Sequence, residues 1–152
     1  MSDALAKARE NRSSLREAID NVEATLAASP GDHVDVWAAH LDESLEMLSQ
    51  AVEQHIAVTE APGGLLEDMI SANPALRERV GQTREEHNQL RAQLGRIRSS
   101  LSGRSTDVVA ARRHVAELLT ELIHHRQRGA DLVSDAYGIP ADPEVPPPPR
   151  TH

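Results

Sequence analysis

Helix-breaking residues cut this chain into four long segments, each with apolar residues recurring at three- and four-residue intervals. The breakers are Pro30-Gly31, Pro62-Gly63-Gly64, Asn73-Pro74, Ser102-Gly103 and Gly138-Ile139-Pro140. The first segment, about residues 2 to 29, carries Leu5, Ala8, Leu15, Ile19, Val22 and Leu26 on one stripe. The second opens at the N-cap candidate Asp32, sets Leu41, Leu45, Leu48 and Val52 on a seam, and runs to Glu60. The third starts at Pro74 and repeats Val80, His87, Leu94 and Leu101 seven apart, with Thr83, Leu90 and Ile97 between them. The fourth, from the cap candidates Ser105 to Asp107, aligns Val115, Leu118, Leu122, His125, Gly129 and Leu132. Short connections make neighbouring helices antiparallel, so the expected fold is all-α, an up-down-up-down four-helix bundle over residues 1–137. Leu65 to Ala72, apolar on one side, predicts a short connecting helix between the second and third long helices. The proline-rich residues 138–152 predict an extended tail.

Composition narrows the function. With 152 residues the chain suits one modest domain, and with one Trp, one Tyr and no Phe its core must be aliphatic, which argues against β-sandwiches and barrels. A net charge of −8 and two aromatics disfavour nucleic acid, since neither phosphate neutralisation nor base stacking is supplied. The absence of cysteine excludes disulfides, thiol nucleophiles and thiolate metal sites, so any metal must use histidine and carboxylate. No apolar run approaches the roughly 20 residues of a membrane span, and the N-terminus has no apolar signal core. The reading is a soluble, cytoplasmic protein. No GxSxG elbow occurs, and Pro62-Gly63-Gly64 lacks the Lys and Ser/Thr of a phosphate loop.

The eight histidines carry the most information. His55 falls on the extended seam of the second helix, and His87 and His125 stand where the third and fourth seams call for leucine. A buried imidazole needs partners for both nitrogens, and a purely structural bundle gains more from a leucine. One such residue reads as a satisfied core histidine; three on three helices point to a metal site, because bundle cores build such sites from facing side chains. Carboxylates stand nearby in sequence: Glu60 five residues after His55, Glu86 beside His87, and Glu121 four residues before His125 on the same helical face. His55, His87 and His125 are therefore the candidate nitrogen ligands, Glu60 and Glu121 the candidate oxygen ligands, and Glu86 a supporting group, with Thr59 lining the pocket. His33, His40 and His114 lie off the seams near helix ends and read as exposed, and Trp37 reads as a core anchor.

The stretches HIAVTEAPGGLLEDM, EEHNQLRAQLGRI and ELIHHRQRGADLV resemble the hemerythrin-like HHE cation-binding domain over about residues 33–137. The resemblance implies a four-helix bundle holding a non-haem di-iron pair, used for oxygen binding, sensing or peroxide chemistry. It also implies a glutamate four residues after the second-helix histidine, where this chain has Thr59 with the acid displaced to Glu60. After His125 the corresponding positions are Arg128 and Gly129, and the first helix has no histidine, only Glu10 and Asn11. Five residues on a helix is about 500°, so Glu60 points about 140° away from His55 unless the helix frays. Dinuclear iron, mononuclear iron and no metal at all therefore stay open, the last as a protein-interaction module, with haem held by paired histidines as a third alternative. A small partner such as dioxygen or peroxide, and self-association, remain compatible with the chain. Whether it is an enzyme is undecided at this level.

Overall fold

The structure, a computed structural model, describes residues 3–102 and 105–138. Within them the chain forms α1 (Asp3–Ala27), α2 (Val34–Glu60), α3 (Leu65–Ala72), α4 (Arg77–Leu101) and α5 (Val108–Tyr137), with a 3-10 turn at Pro74–Leu76. It is an all-α bundle of four long helices, with no strand among the described residues and α3 as the short connecting helix. No helix among these residues is long and apolar enough to cross a membrane. The expected tail, apart from Gly138, lies outside the described residues.

Local chemistry sets most boundaries. Asp107 caps α5 by accepting from the Ala110 amide at 3.0 Å, and Gly138 closes that helix in the left-handed region at φ 64°. Asp32 does not cap α2; the N-cap position is His33, which makes no side-chain cap bond, and Asp32 sits in the preceding turn. Pro74 opens a 3-10 turn rather than α4 itself, with the Asn73 side chain accepting from the Ala75 amide at 3.2 Å. After Glu60 the chain turns sharply through Gly63, whose φ of 71° suits glycine, and Gly64, where a Cβ would lie 2.7 Å from the Ala61 carbonyl oxygen.

Cross-helix ion pairs show the register. Asp42–Arg98, Glu53–Arg91 and Glu60–Arg84 link α2 to α4 in opposite residue order, so the two helices are antiparallel. At one end Trp37 is buried, donates from Nε1 to the Thr25 carbonyl at 3.2 Å, and lies under the Arg112 guanidinium, joining α1, α2 and α5. At the other end α3 packs across the bundle, and Tyr137 donates to Asp68.

The core is split. One apolar cluster includes Leu15, Leu45, Ile56, Leu90 and Leu122; the other includes Leu5, Ala8, Leu66, Val80 and Leu132. Between them each long helix contributes polar residues: Asn11 from α1, His55 and Thr59 from α2, Thr83 and His87 from α4, and His125 from α5. Apolar residues of matching size at these places would make the core continuous without polar groups to satisfy, so the layer points to a function other than packing.

Candidate metal centre

His55, His87 and His125 come from three helices and meet at the centre of this layer. One ring nitrogen from each lies within 4.8 Å of the others, and Nε2 of His55 is 3.4 Å from Nε2 of His125. The rings pack edge to face, with centroids 4.8 to 5.5 Å apart. His87 is fully buried and His125 nearly so, while His55 keeps some exposure.

Two carboxylates hold the outer edges. Oε2 of Glu60 accepts from Nδ1 of His87 at 2.9 Å, and Oε1 of Glu86 accepts from Nδ1 of His125 at 2.7 Å. An ionised carboxylate only accepts, so each imidazole carries its proton on Nδ1 and its lone pair on Nε2. Each carboxylate has an arginine on its second oxygen, Arg84 at 3.2 Å from Glu60 and Arg128 at 2.7 Å from Glu86. Arg84 stands three residues before His87 and Arg128 three after His125, so both reach around from the histidine's own helix.

Burial dominates the electrostatics. It pushes the His55 pKa down to about 3, helped by the neighbouring His125 and His87 and by the Arg12 and Arg126 guanidiniums. Burial also lowers His87, against the opposing pull of Glu60. At neutral pH these two rings are therefore uncharged and can donate lone pairs. Nε2 of His87 is buried with no hydrogen-bond partner among the described residues. Nε2 of His55 and Nε2 of His125, 3.4 Å apart, can share either a proton carried by the His55 ring or a cation placed between them. Two ligands on one ion, each with a bond near 2.1 Å at the tetrahedral angle, are separated by about 3.4 Å. The residues therefore fit a cation.

The positions of the other expected site residues follow from helix rotation. Because α2 stays helical through Glu60, that carboxylate turns toward α4 and takes the outer nitrogen of His87, away from the space between the rings. Glu121 is exposed and lines a surface depression with Gln93, Glu86 and Arg128. Its offset of four residues leaves it about 40° from His125, on the solvent side of α5. Thr59 is buried beside the site, and its hydroxyl donates to the His55 carbonyl at 2.8 Å. His33 and His40 are exposed and His114 is half-buried.

A cavity of about 70 Å³ adjoins the three histidines and is lined by residues of all five helices. Its wall is mainly apolar, with Leu65, Leu66, Met69 and Leu132, and it also contains Thr59, Thr83, Arg12 and Arg126. That space takes a few waters or a diatomic molecule and is far too small for a haem, since pockets for larger ligands run to roughly 300 Å³ or more.

Residues 9–129 match the family model of the hemerythrin HHE cation binding domain. The chain belongs to the hemerythrin HHE family. The matched span contains all three histidines and both carboxylates that bind them. No curated protein and no solved structure gives a significant match to the chain.

Sequence spacing did not indicate the cross-helix assignment of Glu86 to His125, nor Arg84 and Arg128 behind the two carboxylates. The i±3 placement of each arginine beside its histidine was the available signal.

Proposed function

We propose that this HHE bundle binds a metal ion through His55, His87 and His125, with iron the favoured ion, and presents it to a small ligand such as dioxygen or peroxide. The observation that carries the reading is the buried, unpartnered Nε2 of His87 beside two further imidazole nitrogens. Imidazole suits iron, zinc, copper and nickel alike, and the family name specifies a cation without naming one. When bound, such an ion supplies a Lewis-acidic centre able to take a small ligand.

The chain's own residues prepare the site. Glu60 and Glu86 fix the rotation and tautomer of His87 and His125 and raise the basicity of their inner nitrogens. Arg84 and Arg128 hold those carboxylates in place. The two apolar clusters keep bulk water from the rings, and the small space beside them selects for small ligands. Glu121 is left as a polar group at the surface, and no oxygen ligand among the expected residues enters the proposed set.

The test uses full-length, tag-free protein loaded anaerobically with iron, with metal content and the visible spectrum compared with those of His87→Leu. Retained metal in the parent and none in the variant supports the reading. If the parent holds none and added ions leave its melting temperature unchanged, the metal-free interaction module replaces it.

A further inference from the structure

Resting on that metal-binding reading, we infer that the bundle holds one metal ion per chain, in place of the dinuclear pair that the family resemblance implies. The three donor nitrogens lie within 4.8 Å of one another, a cluster small enough to surround a single ion with bonds near 2.1 Å after slight closure. Two ions sharing ligands stand about 3.5 to 4 Å apart, and their donors must spread over a correspondingly larger volume.

Charge argues the same way. A pair of dications brings four positive charges. Among the described residues the cavity wall offers three imidazoles, no carboxylate, and two arginines. Arg12 and Arg126 line the cavity together with His55, so the field there is already positive. A single dication is balanced by Glu60 and Glu86 acting through the rings of His87 and His125.

Neither carboxylate is placed to move inward as a bridge. Each has one oxygen on an imidazole and the other on an arginine, so rotation into the cavity breaks two charge-assisted contacts at once. The positions one turn along from His55 and His125 supply no replacement. Thr59 has its hydroxyl committed to a backbone carbonyl, and Gly129 has no side chain although a Cβ there would meet nothing within 4 Å.

The experiment is a cobalt(II) titration of full-length, tag-free protein followed by visible absorption and electron paramagnetic resonance, repeated by calorimetry with zinc and with His87→Leu. The expected result is a break at one equivalent in both metals, an uncoupled high-spin cobalt signal accounting for one ion per chain, and loss of the break in the variant. A break at two equivalents, with the signal quenched by coupling as the second ion enters, overturns the inference and leaves the metal-binding reading intact. A break at one equivalent that survives in His87→Leu places the ion elsewhere and overturns it too. No break in the parent removes the metal-binding reading, and the inference with it.

Discussion

Oε2 of Glu60 on α2 accepts a hydrogen bond from Nδ1 of His87 on α4 at 2.9 Å, while its other oxygen meets Arg84. The same construction is repeated one helix along, where Glu86 of α4 joins His125 of α5 to Arg128. His87 and His125 are thus each oriented by the helix packed against their own, and the layer is rigid only when the helices hold their register. Glu53–Arg91 and Asp42–Arg98, on the same α2–α4 face, help set that register; as exposed pairs they add at most about 1 kcal/mol each.

Replacing Glu60 with Gln keeps the shape and an acceptor for Nδ1 but removes the negative charge. Metal affinity is expected to fall by about 10- to 100-fold, the usual effect of losing a carboxylate behind a ligating histidine. Stability of the metal-free protein should change by no more than about 1 kcal/mol, because the partly exposed Arg84 can turn to water. Competition with a chromophoric chelator, set beside thermal unfolding, checks both halves. Unchanged affinity would show that Glu60 does not act through His87.

His87→Leu separates a metal-binding role from a structural one. In the metal-free protein the imidazole leaves Nε2 buried and unpartnered, and a leucine of similar volume suits the seam better. The variant should gain about 1 to 2 kcal/mol of unfolding free energy without metal and lose the stabilisation that metal confers on the parent. Urea unfolding with and without added metal measures both. A destabilised variant would mean that the His87–Glu60 contact contributes more than the buried nitrogen costs.

Seam periodicity made the helices legible in the sequence, because burial of an aliphatic stripe is a local pattern that survives into the fold. It also made His55, His87 and His125 visible, since each stands where the repeat calls for an apolar residue. What spacing could not convey was which carboxylate meets which histidine. Glu86 is adjacent to His87 in sequence, yet successive helical residues diverge by about 100°, so its carboxylate crosses to α5. Glu121 shares a turn with His125, yet the outer nitrogen of that ring is taken by the facing helix. These pairings depend on the rotation and register of packed helices, quantities that a single helix does not encode. The start of α2 differed for a smaller reason: the turn His33 N–H to Pro30 carbonyl, 2.9 Å, places Asp32 inside the loop.

Acid should weaken the metal-free protein well before its carboxylates titrate. Folded His55 has a pKa near 3 and folded His87 is lowered as well, while in the unfolded chain both titrate near 6.5. The unfolded state therefore binds more protons as pH falls below about 6.5, and stability declines from there toward about pH 3. Above about 6.5 this contribution is fully present and pH-independent. The slope reaches at most about 1.4 kcal/mol per pH unit for each such histidine. Urea midpoints across this range test it, and His87→Leu should show a shallower slope. A parent curve flat between about pH 6.5 and pH 5 would contradict the burial of neutral imidazoles.

Asn11 offers the last test of the polar layer. It is buried on α1 between Ala8 and Leu15, which belong to the two opposite apolar clusters, and neither amide atom has a hydrogen-bond partner among the described residues. An unsatisfied buried amide costs about 1 to 3 kcal/mol, whereas leucine has the same branched four-atom side-chain skeleton and nothing to satisfy. Asn11→Leu should therefore raise the unfolding free energy of the metal-free protein by about 1 kcal/mol or more. Chemical denaturation measures the gain, and metal titration of the same variant shows whether it touches the site. Because none of the three histidines bonds to Asn11, metal stoichiometry should be unchanged. A loss of stability would mean instead that the amide holds a partner within the layer, such as an ordered water, whose removal costs more than the leucine recovers.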